Sequence, residues 1–88
     1  MNAENIILEI LKTLAQADGH PLADDVLRLQ VECRVRPRPL KAFMDECLRT
    51  MEERGLIMQR ENELDLTGTN PLWLLDEKGQ SMATRMRL

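Results

Sequence analysis

The chain has 88 residues, of which 43% are hydrophobic and 31% are charged, and its formal net charge is −3. This length suits a single domain over residues 1–88, and the composition is that of globular proteins, which argues against wholesale disorder. No apolar run approaches the ~20 residues of a membrane span. Residues 1–5 also lack the basic and apolar segments of a signal peptide, so we expect a cytoplasmic protein.

The residue types that usually carry metal binding or catalysis are scarce. Two cysteines, Cys33 and Cys47, without a secretion signal indicate free, mostly buried thiols in a reducing compartment. His20 is the single histidine and no C-x-x-C pair occurs, which leaves too few ligands for a tetrahedral zinc site. Adjacent acidic residues point about 100° apart on a helix and form no shared-proton pair. We therefore predict no metal, no cofactor and no enzymatic activity.

The first half of the chain has the pattern of two helices. Apolar side chains at i, i+3, i+4 and i+7 predict a helix over residues 3–17, with Asn2 as its N-cap and Gly19 at its end. These side chains are Ile7, Ile10, Leu11 and Leu14. A second helix is predicted over residues 22–33, with one apolar stripe and two apolar residues beside it. The stripe consists of Leu22, Val26, Leu29 and Cys33, and the neighbours are Leu27 and Val31.

A third helix follows a stiff connector. Pro37 and Pro39 make residues 36–39 extended, because proline disfavours helical geometry at the residue before it. The next apolar residues recur at i, i+3, i+4, i+7, i+8 and i+11, which predicts a helix that stops at Gly55. They are Leu40, Phe43, Met44, Cys47, Leu48 and Met51.

The pattern changes after Gly55. Residues 56–60 and 72–75 are typical of strands, and the turn-forming residues 67–71 lie between them, which predicts a hairpin with a long tip. Asp76 is placed to cap a short last helix over residues 77–86, with Met82, Ala83 and Met86 turned inward. A two-stranded hairpin is not stable alone, so it must pack on the helices. We predict a mainly α fold: a three-helix core, a two-stranded wing and a short C-terminal helix, the winged helix-turn-helix arrangement.

Two segments resemble known winged-helix regulators of the bacterial and phage type. Residues 48–57 (LRTMEERGLI) are similar to the end of their recognition helix, where a glycine stops the helix and a Leu-Ile pair begins the wing. Residues 74–79 (LLDEKG), followed by Ala83, look like the segment after the wing, although Leu75 stands where the family usually has threonine. Residues 7–14 and 21–22 also fit the family's first helix and the start of its second, so the resemblance covers nearly the whole chain. It says more about fold than about function, because this fold serves many roles.

The resemblance implies binding of duplex DNA, often as a dimer, with the third helix in the major groove and the wing beside the backbone. Carried over by position, it implies a set of candidate DNA-binding residues in the connector, the third helix and the wing. They are Arg34, Arg36, Arg38, Lys41, Ala42, Asp45, Arg49 and Arg60. The residues themselves support part of this set, because four basic residues between positions 34 and 41, without an acid, form a candidate phosphate-contact patch. We accordingly predict a transcriptional regulator.

Acidic residues favour a second interpretation. The third helix also carries Glu46, Glu52 and Glu53, and the wing tip carries further acids, all of which repel phosphates. The alternative is a protein-interaction or assembly module with the same fold. Small domains often associate to enlarge their core, so we predict a homodimer, with the last helix either along the body or against a second copy. Trp73 and Phe43 are predicted core anchors, and the methionines are predicted core filler.

Overall fold

A computed structural model describes residues 2–88 as four helices and a three-stranded antiparallel sheet. In chain order the elements are α1 (Ala3–Gln16), β1 (Leu22–Ala23), α2 (Asp24–Arg34), α3 (Lys41–Glu53), β2 (Ile57–Arg60), β3 (Leu72–Leu75) and α4 (Glu77–Met86). The predicted order of three helices, a hairpin and a last helix is confirmed. Within residues 2–88, none of the helices has the length and apolar content that crossing a membrane requires.

Local signals set three of the helix ends as predicted. The Asn2 side chain accepts a hydrogen bond from the Glu4 amide at 2.9 Å at the start of α1. The Asp76 side chain accepts one from the Glu77 amide at 2.8 Å at the start of α4. Gly55, with φ of +75°, ends α3 in a left-handed conformation that costs glycine little.

The sheet contains one strand that the sequence analysis missed. β1 pairs antiparallel with β3, which also pairs with β2, so the strand order is β1-β3-β2. The prediction of a two-stranded sheet is therefore wrong, and α2 begins at Asp24 rather than at Leu22. A strand of two residues is too short to show alternation, and its pairing with Leu72 and Trp73 is a long-range contact that no local pattern reports.

The core lies between α1, α2, α3 and the sheet. Its buried apolar residues are Ile6, Ile10, Leu11, Leu14, Leu27, Val31, Met44, Cys47, Leu48, Met51, Leu56, Ile57 and Trp73. Trp73 is 4% exposed and is confirmed as a core anchor, and Phe43 packs partly buried against the same cluster. Two predictions of inward-facing residues need correction. Leu40 is 74% exposed, because its extended backbone turns it to solvent while the preceding Pro39 is buried. Ile7 packs against the core but is only partly buried, whereas its neighbour Ile6 is fully buried.

The inward face of α2 differs from the predicted stripe. Leu27 and Val31 are buried, whereas Leu29 is 59% exposed, and Val26 and Cys33 are exposed too. Both sets have helical spacing, so periodicity alone favoured the longer stripe. The pairing of β1 with β3 sets the position in which α2 begins and thereby turns the shorter set inward.

Two further burial predictions are only partly right. Cys47 is buried, and that burial raises the pKa of its thiol, but Cys33 is exposed, so the expectation of two buried thiols is wrong. Met44 and Met51 fill the core, whereas Met58 and Met86 are exposed. In α4 the buried residues are Gly79 and Ala83, with Met82 partly buried, and the helix packs along α1 and the hairpin.

Candidate nucleic-acid interface

The segment between α2 and α3 carries the densest positive charge in the sequence. We call residues 34–41 (RVRPRPLK) the basic connector; it holds four basic residues and no acid. All four basic side chains are exposed. Val35 packs partly buried against the core and Pro39 is buried, so these two residues anchor the connector while the charged ones stay in solvent. The Arg36–Pro37 peptide bond is cis.

The arginines of the connector bind different kinds of acceptor: a hydroxyl, backbone carbonyls or a carboxylate. Arg34 donates to the Thr13 hydroxyl at 3.2 Å, and Arg36 donates to the carbonyl oxygens of Glu32 and Val35. Arg38 forms an ion pair with the Glu32 carboxylate at 2.8 Å. Arg34 and Arg36 therefore keep their charge unneutralised by any carboxylate of the described residues, and Glu32 offsets that of Arg38.

The connector leads directly into the N-terminus of α3. Leu40 occupies the N-cap position and provides no side-chain hydrogen bond, and the first turn of α3 contains no acidic residue. The first amide N–H groups of a helix lack intrahelical partners, and the helix dipole places partial positive charge there. Lys41, 85% exposed, lies at this end of the helix. The end of the connector thus combines side-chain charge with open backbone donors.

The exposed face of α3 is neutralised by pairs within the helix. Lys41 lies 3.4 Å from the Asp45 carboxylate. Arg49 contacts Glu46 at 2.6 Å and Glu53 at 3.6 Å. Ala42, which was also predicted to contact DNA, is exposed. Lys41 and Arg49, the two predicted basic contact residues of α3, are therefore each paired with a carboxylate of the same helix.

Asp45 also connects α3 to α2. Its carboxylate accepts a hydrogen bond from Arg28, and this bond, more than the nearby Lys41, holds the pKa of Asp45 below its ordinary value. Arg28 in turn pairs with Asp24 at 2.7 Å, and the other oxygen of Asp24 accepts from the Trp73 indole N–H at 2.8 Å. This chain of contacts ties β3, α2 and α3 together. The sequence analysis missed it, although the i, i+4 spacing of Asp24 and Arg28 was a usable signal.

The hairpin of β2 and β3 has a structured, acidic loop at its tip. Arg60, the last predicted contact residue, is exposed at the end of β2. We call residues 61–70 (ENELDLTGTN) the acidic loop; it holds three acids and no basic residue. The Asp65 carboxylate accepts from the Asn70 amide at 2.6 Å and from the Thr67 hydroxyl at 2.9 Å. The Asn62 side chain donates to the Asn70 carbonyl at 2.9 Å, which closes the base of the loop.

Two leucines of the acidic loop have almost no protein contact. Leu64 is 93% exposed and Leu66 is 97% exposed, more than any other large hydrophobic residue described. Single exposed leucines are common, but here two of them lie two residues apart on one hydrogen-bonded loop.

The hydrogen bonds to Asp65 predict how the loop responds to acid. The Asn70 amide, and then the Thr67 hydroxyl, hold the pKa of Asp65 below its ordinary value of about 3.9. A lowered pKa means that ionised Asp65 stabilises the folded loop. This contribution is fully present above the ordinary pKa and is lost as pH falls through the lower pKa of the folded state. We expect the Asn70 amide resonance to titrate below pH ~3.9 in NMR spectra. Asp65→Asn should remove this titration, and a midpoint at or above the ordinary pKa would contradict the assignment.

A groove of about 410 Å³ lies at the end of α1. Asp18, His20, Gln80 and Leu88 are among the residues that line it, and none of them belongs to the basic connector.

Across residues 2–88, no three side chains of His, Cys, Asp or Glu are grouped so that they could hold a metal ion.

The candidate interface therefore consists of the basic connector with the start of α3, and it lies apart from the acidic loop in sequence. In comparisons with known proteins, no family model and no curated protein matches the chain.

Proposed function

We propose that the chain is a winged helix-turn-helix module that binds duplex DNA as a transcriptional regulator and contacts mainly the phosphate backbone. Three helices followed by a packed hairpin are consistent with that layout. The observation that carries the proposal is the basic connector leading into the uncapped N-terminus of α3. Helix N-termini with flanking cations are favourable phosphate sites, and in helix-turn-helix proteins this region lies against the duplex.

The paired charges on α3 limit what this helix contributes. Exposed ion pairs are worth about 0.2–1 kcal/mol, so Arg49 can exchange Glu46 for a phosphate at little cost. The carboxylates nevertheless stay in place and repel the backbone. We therefore assign affinity to the connector and Lys41, and only weak sequence readout to the exposed face of α3.

The salt dependence of DNA binding tests this proposal. Each neutralised phosphate contributes about 0.9 to the slope of log K against log salt concentration. Binding to a labelled mixed-sequence duplex should weaken steeply with salt, and Arg38→Ala with Lys41→Ala should reduce the slope by about two. Fluorescence anisotropy of the labelled duplex measures the binding constant at each salt concentration and therefore the slope for each variant. A matched control is Arg85→Ala with Arg87→Ala, which removes the same charge from the end of α4 and should leave the slope unchanged. No binding at low salt would refute the proposal.

The exposed Leu64 and Leu66 favour the second candidate, a protein-interaction module. Partners recovered from source lysate would distinguish the two functions. Nuclease treatment should release partners held through nucleic acid and should leave protein-bound partners in place.

A further inference from the structure

We propose that the chain associates head to tail with further copies of itself, through the acidic loop of one copy and the basic connector of the next. The proposal does not depend on DNA binding. It rests on two surfaces of the same chain that complement each other in charge and in apolar content.

The acidic loop has the features of a preformed docking element. Glu61 and Glu63 are exposed around Leu64 and Leu66, while the hydrogen bonds of Asp65 hold the loop in shape. A loop that is ordered before binding loses less conformational entropy on binding. Its apolar side chains thus project from an acidic rim.

The basic connector provides the opposite arrangement. Leu40 is 74% exposed, and the basic side chains of Arg36, Arg38 and Lys41 surround it in sequence. An acidic rim against a basic rim favours encounter and sets the orientation, while leucine against leucine removes apolar surface from water. The occupant that best fits the connector's charge and apolar centre is therefore the loop of a second copy.

The base of the loop and the start of the connector lie at opposite ends of α2, and within residues 2–88 no ion pair joins the two surfaces. The loop is fixed to the start of this helix, where the Asn70 side chain accepts from the Asp25 amide at 2.9 Å and the Pro71 carbonyl accepts from the Asp24 amide at 2.8 Å. The connector begins at the other end, at Arg34. The 11 residues of α2 separate these ends by about 16 Å. Complementary surfaces set apart on one molecule allow head-to-tail contacts, in which each copy places its loop on one neighbour and its connector against another.

Sedimentation measurements on the full chain test the association. One loop and one connector make a small contact, so we expect weak, reversible and salt-sensitive assembly. The average mass should rise with protein concentration at about 0.1 M salt, where charges act over ~10 Å, and return to that of the monomer at 1 M salt, where they act over ~3 Å. A mass that stays monomeric at low salt and high concentration would overturn the proposal.

Mixing two variants identifies the surfaces. Leu64→Ser with Leu66→Ser removes the loop surface, and Arg36→Glu with Lys41→Glu reverses the connector. All four side chains are exposed, and the fluorescence of buried Trp73 checks that both variants fold. Each variant alone should be monomeric, while an equimolar mixture should form one-to-one dimers and nothing larger, because each partner keeps one intact surface.

Two results would contradict this assignment: self-association of either variant at the wild-type level, or a mixture that stays monomeric. Arg85→Glu with Arg87→Glu introduces the same charge change at α4 and should leave association intact. The loop variant also separates the two proposals, because it should abolish association and leave the salt slope of DNA binding unchanged.

Discussion

Gly79→Ala is expected to destabilise the fold by about 3 kcal/mol or more. A Cβ at this position would collide with the backbone carbonyl oxygen of Leu56 and lie 3.1 Å from the Leu75 side chain. The same carbonyl accepts the Asp76 amide at 3.0 Å, so it has little freedom to move away. In an exposed helix the substitution would instead stabilise by about 0.5–1 kcal/mol, because alanine has the higher helix propensity. The sign of the change therefore reports the close approach of α4 to the start of β2.

Urea unfolding followed by the fluorescence of Trp73 measures this effect. Ser81→Ala is a matched control on the exposed side of the same helix, and it should change the free energy of unfolding by no more than about 0.5 kcal/mol. A neutral or stabilising Gly79→Ala would show that α4 does not pack this closely on Leu56.

Trp73→Ala should lower the free energy of unfolding by about 3–5 kcal/mol. The indole ring is 4% exposed, and its N–H donates to Asp24, so truncation leaves a cavity and removes one bond of the chain that joins β3 to α2. A chain of this size has about 4–13 kcal/mol of stability in total. The variant should therefore be close to unfolding at ambient temperature.

Circular dichroism during urea unfolding measures this change, because the variant lacks the only tryptophan. Trp73→Phe keeps an aromatic ring in the core and loses the donor, so its cost should be smaller, about 1.5–3 kcal/mol for a hydrogen bond to a charged group. Leu66→Ala, at a residue that is 97% exposed, should cost less than ~0.5 kcal/mol. Equal losses for Trp73→Ala and Leu66→Ala would contradict the described core.

The elements that could be predicted are those with strong local signals. Asn2 and Asp76 end helices through their own side chains, and Gly55 does so through its backbone conformation. The apolar faces of α1 and α3 follow from spacing, because each helix has one dominant stripe. β1 and the inward face of α2 were not predictable in this way, since both depend on pairing with β3, which lies about 50 residues further along the chain.

The candidate site was likewise only partly predictable from the sequence. Charge density at Arg34, Arg36, Arg38 and Lys41 is visible in the sequence, and prolines among them predict an exposed connector. Which of these basic side chains pairs with a carboxylate depends on the path of the connector relative to α2. Glu32 lies six positions from Arg38 and pairs with it only because the connector folds back toward α2.

The helices, the hairpin and the concentration of basic residues before α3 can be predicted from sequence, because each of them depends on neighbours within a few turns of the chain. Tertiary contacts are needed to explain which apolar residues stay in solvent, such as Leu40, Leu64 and Leu66, and why Gly79 must lack a side chain. Burial and close approach depend on contacts between distant segments, and composition and periodicity do not record such contacts.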